Sequence, residues 1–253
     1  MIYKYYKFVS KERLRGHLSG ELWFSNLDYL NDPFEGEVYI DEERLFKQAC
    51  RYYALRSGVS QKDSEIFVSK LIESNQFSLE QNRVNLIKSI KKRTFSTSFS
   101  LVKDSILMWS HYSSDHTGYV IGYDFPENNY DMLASMGVKY PGYSLRKVEY
   151  KDERHALSDT IGGYDYPISL CRKAKDWSYE MEVRTVYTVP KSHELPGALL
   201  KINRRLIKSI YLGIKANFEN YSQILIDFKR VKVFKMAPTS EKYALYPIKI
   251  HDV

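Results

Sequence analysis

Between Asp41 and Lys92 the chain runs at a helical period, and on both sides of that stretch the period falls to two. In DEERLFKQACRYYALRSG, Leu45, Ala49 and Tyr52 share one face, and Gly58 ends the pattern. SEIFVSKLIES and SLEQNRVNLIKSIKK repeat it, with breaks near Gly58–Ser60 and Asn75–Ser78. Upstream, residues 2–8 read as a strand, 10–19 as a helix capped by Ser10 with Leu14 and Leu18 at i, i+4, and ELWFSN after Gly20 as a second strand. Downstream, RTFSTSFS, GYVIGYDF, RKVEYKD, KVFKMAP and KYALYPIKI read as strands. SILMWSHYSS reads as a short amphipathic helix, NYSQILIDFKR as another, and residues 166–176 as one or two helical turns. Strands on either side of a helical block, with no repeat, linker or low-complexity tract, predict one α+β domain over 1–253 carrying a helical insertion at about 41–92.

Composition narrows the functional classes. No apolar run approaches the roughly 18 residues of a membrane span, and MIYKYYKFVSKERLRG has no signal-peptide core, so a cytoplasmic protein without membrane contact is expected. Cys50 and Cys171, with no CxxC, make neither a zinc site nor a disulfide framework. The 22 tyrosines favour clefts that stack flat rings. Net charge is +7, and residues 201–250 hold eleven Lys+Arg against three acids, which is +8 for that segment alone. Such an end attracts phosphate-bearing partners, or it is only a solvated basic surface.

Four constellations bear chemistry. In DWSYEMEVRTVYTV, Val183, Val186, Tyr187 and Val189 mark a strand, and Glu180 and Glu182 stand at its mouth. Residues i and i+2 of a strand share a face, so the two carboxylates are expected side by side. They are either a solvated edge paired with Lys173, Lys175 or Arg184, or a pair built to stabilise a cationic sugar transition state and take a proton. In Phe95-Ser96-Thr97-Ser98, alternation puts Ser96 and Ser98 on one face, where a hydroxyl can orient a carboxylate. Trp109 and Tyr112, at i, i+3, are expected in the core, with Tyr112 also a candidate stacking ring. His111, Asp115 and His116 lack the spacing of a helical metal pair, and no metal site is expected. Asn31-Asp32-Pro33-Phe34-Glu35 reads as an Asx-turn with Phe34 plugged into the core, or as a substrate-facing loop.

Three strings, LWFSNLDYLNDPFE, MWSHYSSDHTGYVIGYDF and KAKDWSYEMEVR, together resemble a bacterial family of unknown function with NDPFE, WSHY and WSYExEVR signatures. More distantly, strand–helix–Gly–strand, then aromatic-Ser-Thr-Ser, then Glu-x-Glu at a strand start resembles the ADP-ribosyltransferase superfamily of the Arg–Ser–Glu type. That resemblance implies a split β-sheet core and NAD as co-substrate. Ser96 would support the site, Glu182 would bond the nicotinamide ribose and stabilise its oxocarbenium, and Glu180 would act on the acceptor. Lys4, Tyr5, Ser98 and Tyr112 would line the cofactor cleft. The pattern has Arg or His on the first strand; here Lys4 would hold a pyrophosphate as a point charge and not in a bidentate fork. The implied function is transfer of ADP-ribose from NAD to a nucleic-acid or protein acceptor, or hydrolysis of NAD, in a bacterial toxin or phage-defence setting with a neutralising or regulatory partner.

Two other readings make different geometric demands. A non-catalytic nucleotide- or RNA-binding module puts the basic and Tyr-rich surfaces together, away from the glutamates. A metal-dependent phosphodiesterase or nuclease brings Asp32, Glu35, His111 and His116 within ligand distance of one another.

Overall fold

The computed structural model describes residues 1–125, 136–139, 142–154, 170–191 and 194–250. The first strand, β1 (Ile2–Tyr6), leads into α1 (Lys11–Leu18), whose N-terminus is closed by Ser10 accepting from the Arg13 amide. Removing that hydroxyl exposes one of the helix's orphan donors. Ser10→Ala is therefore expected to cost about 1 kcal/mol, read as a lower urea midpoint at unchanged slope. Next come β2 (Glu21–Asn26), α2 (Glu42–Ser57), α3 (Gln61–Glu73) and α4 (Leu79–Lys91). The end of α2 is a left-handed Gly58, φ 67°, which donates to the Ala54 carbonyl.

Beyond α4 lie β3 (Thr94–Ser100), α5 (Ile106–Tyr112), β4 (Tyr119–Tyr123), β5 (Gly142–Lys147), β6 (Glu149–Tyr150), β7 (Arg172–Lys173) and β8 (Glu182–Thr188). The chain then runs through β9 (Gly197–Lys201), β10 (Ile207–Leu212), α6 (Glu219–Leu225), β11 (Lys232–Pro238) and β12 (Leu245–Lys249). The helical turns expected over 166–176 are corrected where they can be seen. Arg172–Lys173 pairs with Glu149–Tyr150 as a parallel strand, and a 3₁₀ segment covers Lys175–Glu180. Residues 166–169 of that expectation lie outside the described residues.

The fold is α+β: one large mixed sheet with helices on both faces. Its order is β12-β11-β10-β4-β1-β3-β2-β9, with β8 and β5 attached through β3. The junction is β3. Along one edge it pairs with β8 over its whole length, from Thr94↔Thr188 to Ser100↔Glu182. Along the other edge it forks: Phe95 and Ser96 pair with β2, while Ser100 pairs with Tyr3 of β1. Thr97 and Ser98 sit in the fork, where the Lys4 ammonium bonds the Thr97 hydroxyl (2.9 Å) and the Ser98 carbonyl (2.8 Å).

Three apolar clusters fix what covers the sheet. Leu14 and Leu18 of α1 and Tyr221, Ile224 and Leu225 of α6 pack with Phe95, Phe99 and Tyr187 on one face. On the other, Met108 and Trp109 of α5 pack against Tyr5, Val120 and Tyr211. Leu45 of α2 and Ile87 of α4 cover β8 at Val186, together with Val38 and Ile40 of the loop before α2. The helical insertion is thus a cap over the strand that begins with Glu182.

Candidate functional site

The Asn31–Glu37 turn aims a carboxylate inward. Asp32 accepts from the Phe34 amide through its side chain (2.9 Å) and from the Glu35 amide through its carbonyl (3.0 Å). Gly36, at φ 71°, closes the turn, and Glu37 is tied to Lys91 of α4 at 2.7 Å. The expectation for Phe34 is corrected: the ring is 60% exposed, with the Arg154 guanidinium over it at 5.2 Å. Glu35 is the residue that goes in, to meet Arg184 and Lys173.

The strand expected to carry both glutamates on one face carries one. Glu180 ends the 3₁₀ segment, and Met181 adopts a left-handed conformation (φ 43°, ψ 53°) before β8 starts at Glu182. The two carboxylates still converge, because Lys173 stands between them. Its ammonium lies 2.8 Å from Glu180 Oε2, 2.9 Å from Glu182 Oε2 and 3.7 Å from Glu35 Oε2. Arg184 organises the other side. Its Nε and Nη2 each donate to Glu182 at 2.8 Å. Its Nη1 donates to Glu35 and to the Leu170 carbonyl, and its Nη2 reaches Glu35 Oε2 at 3.4 Å. All five guanidinium N–H groups therefore have acceptors. Of the three cations proposed as partners for the glutamates, Lys173 and Arg184 serve, while Lys175 pairs with Asp152.

Glu180 and Glu182 are 4% and 3% exposed. Three carboxylates face two cations, so the cluster carries one net negative charge when all are ionised. The two glutamates respond in opposite directions. Burial raises the Glu180 pKa, and the Glu182 charge adds to this against the pull of Lys173 and Tyr112. Burial pushes Glu182 up too, but the charges of Arg184 and Lys173, with hydrogen bonds from Arg184 and the nearby Ser98, win and hold it well below the carboxylate range. Burial drags Lys173 and Arg184 down, and their carboxylate neighbours more than reverse this.

Among the other residues singled out from sequence, Ser98, Tyr112 and Lys4 touch or adjoin the cluster. Ser98 adjoins Glu182 closely enough to help hold that carboxyl's pKa down. Tyr112, at the end of α5, donates to Glu180 Oε1 at 2.5 Å. Lys4 lies across the sheet: the register Tyr3↔Ser100↔Glu182 puts Tyr3 on the Glu182 face and Lys4 on the opposite one. Burial lowers the Lys4 pKa to about 8, partly offset by the Glu182 charge. Ser96 and Tyr5 do not join them. The Ser96 hydroxyl is buried and bonds nothing among the described residues. The Tyr5 hydroxyl donates to the Val102 carbonyl, and its ring meets Trp109 edge-on.

Asp32, Glu35, His111 and His116 do not come together. Asp32 stays in its turn, Glu35 meets Arg184, His111 bonds Tyr179 at 3.1 Å, and His116 stacks on Trp109. Among the described residues no set of three or more His, Cys, Asp or Glu side chains is arranged to hold a metal, and no helix is long and apolar enough to cross a membrane. Sequence reasoning missed Lys173 as the hub and Arg184 as more than an edge partner. The available signal was Arg184 at the third position of a strand otherwise reading as core, a placement that demands buried acceptors.

A family model described as a protein of unknown function (DUF2971) matches residues 108–185. That stretch contributes Tyr112, Lys173, Glu180, Glu182 and Arg184, and leaves out Lys4, Glu35, Ser96 and Ser98. No curated protein matches the chain, and no solved structure matches it.

Proposed function

We propose that the chain is an ADP-ribosyltransferase-like enzyme that cleaves the nicotinamide–ribose bond of NAD and passes ADP-ribose to a macromolecular acceptor or to water. The observation that carries this reading is the convergence, beside the fork of the sheet, of two buried carboxylates driven to opposite protonation behaviour. As the C–N bond breaks, its electron pair leaves with nicotinamide and positive charge develops on the ribose. Glu182, kept ionised by Arg184 and Lys173, suits the stabilisation of that charge. Glu180, whose pKa is raised, suits removal of the acceptor's proton as the new bond to the ribose carbon forms. Because the pair is nearly closed to solvent, the reading requires the Tyr112 side of the cluster to open for substrate.

The basic C-terminal strands bear on the acceptor. From β8 to β10 the sheet takes four strand steps, through β3, β1 and β4, or about 19 Å at about 4.8 Å each. A polyanion seated on Arg204, Arg205 and Lys208, all exposed, must therefore span that width to reach the glutamates. A nucleic acid or an acidic protein surface meets this requirement; a small acceptor does not use the basic strands.

One observation favours a second reading, a non-catalytic nucleotide-binding module: both oxygens of Glu182 are already engaged by Arg184 and Lys173. Incubation with NAD separates the two. Release of free nicotinamide by the wild type, lost in Glu182→Gln with the circular dichroism unchanged, is the expected result. NAD binding without release selects the module, and neither binding nor release overturns both.

A further inference from the structure

The face of the sheet that carries Glu182 continues past the cluster into rows of aromatic and basic side chains. The register Tyr3↔Gly122↔Ser209↔Lys232 makes one row across β1, β4, β10 and β11. The next row runs Tyr5↔Val120↔Tyr211↔Phe234↔Lys249 and ends on β12. Directly opposed residues share a face, so both rows lie on the side of Tyr3 and Glu182. Trp109 of α5 lies edge-on against Tyr5 at 5.5 Å, and Tyr211 is buried. Tyr3 and Phe234 stay half-buried, while Lys232 and Lys249 are exposed. The rings are contiguous: Tyr211 stacks on Phe234 at 4.9 Å between centroids and meets Tyr3 edge-on at 5.9 Å. The bond from Trp109 Nε1 to the Lys103 carbonyl (2.7 Å) fixes the loop before α5, and the Lys103 ammonium lies 5.7 Å from the centre of the Tyr3 ring. Inside the first row Ser209 is 2% exposed, and its hydroxyl has no hydrogen-bond partner among the described residues. Gly122 makes room for it: a Cβ there would collide with the Ser209 hydroxyl and the Met1 methyl.

We propose that this face binds single-stranded nucleic acid, with bases stacked on Phe234 and Tyr3 and phosphates held by Lys103, Lys232 and Lys249. Flat rings accept the π-face of any base, and lysines beside them meet the charge of the backbone. Asp104, 3.9 Å from Lys103, is an acid at the rim of the surface; the far end, at Lys232 and Lys249, is basic. A duplex keeps its bases stacked on one another, so the rings favour single strands. The Ser209 hydroxyl, between Tyr3 and Lys232 in its row, offers a hydrogen bond to a base edge or a ribose that displaces the Met1 methyl. Lys208 precedes Ser209 and points to the other face, so this surface is not the one that Lys208 occupies. It also lies nearer the glutamates. From β8 to β1 the sheet takes two strand steps, through β3, or about 10 Å at about 4.8 Å each. The binding surface stands on its own residues. That its strand is the acceptor of ADP-ribose rests on the transfer reading of Glu180 and Glu182.

Binding is read by fluorescence anisotropy without NAD, so its failure is distinct from failure of nicotinamide release. The full-length protein is titrated with a labelled RNA of about 12 nucleotides, with the DNA of the same sequence, and with the DNA duplex, at about 50 mM salt. At least one of the two single strands is expected to bind about tenfold or more tightly than the duplex. Phe234→Leu keeps an apolar side chain but removes the ring, and should weaken that binding about tenfold with little change in its salt dependence. Lys232→Gln, at an exposed position, should flatten the slope of log affinity against log salt by about 0.7, the value for one phosphate contact on a single strand. Should Phe234→Leu fail to fold, the slope of Lys232→Gln decides alone. No binding of either single strand, equal binding of the duplex, or competition by polyglutamate as effective as by the unlabelled strand overturns the proposal. So does a folded Phe234→Leu of wild-type affinity, or an unchanged slope in Lys232→Gln.

Discussion

Arg184→Met should be the most damaging single substitution in the cluster, lowering stability by about 3–5 kcal/mol. The loss of the cation is only part of the reason. Glu182 would lose both of its guanidinium bonds and Glu35 its main partner, leaving three buried carboxylates with Lys173 alone. An uncompensated buried charge costs far more than the intact pair contributes. The same argument says what should repair the variant. Adding Glu35→Gln to Arg184→Met should recover part of the loss, so the two substitutions should couple strongly instead of adding. Urea unfolding of the two single variants and the double variant, with the slope checked for constancy, measures this coupling. Additive effects would mean that Glu35 and Arg184 do not share an ion pair in solution.

Lys173→Met should follow closely, with a distinctive dependence on pH. The ammonium touches Glu180, Glu182 and Glu35, and its removal should cost about 3 kcal/mol at neutral pH. Glu180 already has a raised pKa because of its burial, and loss of Lys173 raises it further. A carboxyl whose folded pKa exceeds its unfolded value binds more protons when folded, so stability falls as pH rises through that interval. The variant should therefore lose less at about pH 5 than at about pH 8. Glu182 contributes with the opposite sign. Its pKa is held below the ordinary value of 4.5, so its contribution is complete above that value and fades as the solution becomes more acidic. Denaturation midpoints taken from well below pH 4.5 up to about pH 8 separate the two glutamates. A penalty for Lys173→Met that does not change with pH would remove Glu180 as its titrating partner.

Much of the scaffold was legible from local patterns. Ser10 and Gly58 act at the helix ends where their chemistry places them, and the period change on either side of 41–92 marks the helical cap. Local patterns could not show which way a side chain points once the backbone leaves a regular element. Glu180 and Glu182 look like a same-face strand pair, but Met181 is left-handed and the pairing arises through Lys173 instead. Phe34, expected in the core, is exposed and Glu35 is buried instead, because the Asx-turn, and not hydrophobicity, decides which of them faces in. Ser96 and Ser98 do share a face by alternation, but only Ser98 lies opposite Arg184 in the register and so within reach of Glu182. That register is a long-range property, invisible to spacing.

The forked β3 also sets a timetable for synthesis. Its partners are scattered along the chain: β1 and β2 are made long before it, β8 long after. At about 5–20 residues per second on the ribosome, the N-terminal half waits several seconds with one edge of β3 open. During that wait Glu35 has neither cation, since Lys173 and Arg184 have yet to emerge. Pairings so distant in sequence close slowly, and an open strand edge invites contact with other chains. A nascent chain stalled before Arg184 would thus hold a charged cap with nothing to dock on, and chaperone engagement should be heaviest over that interval.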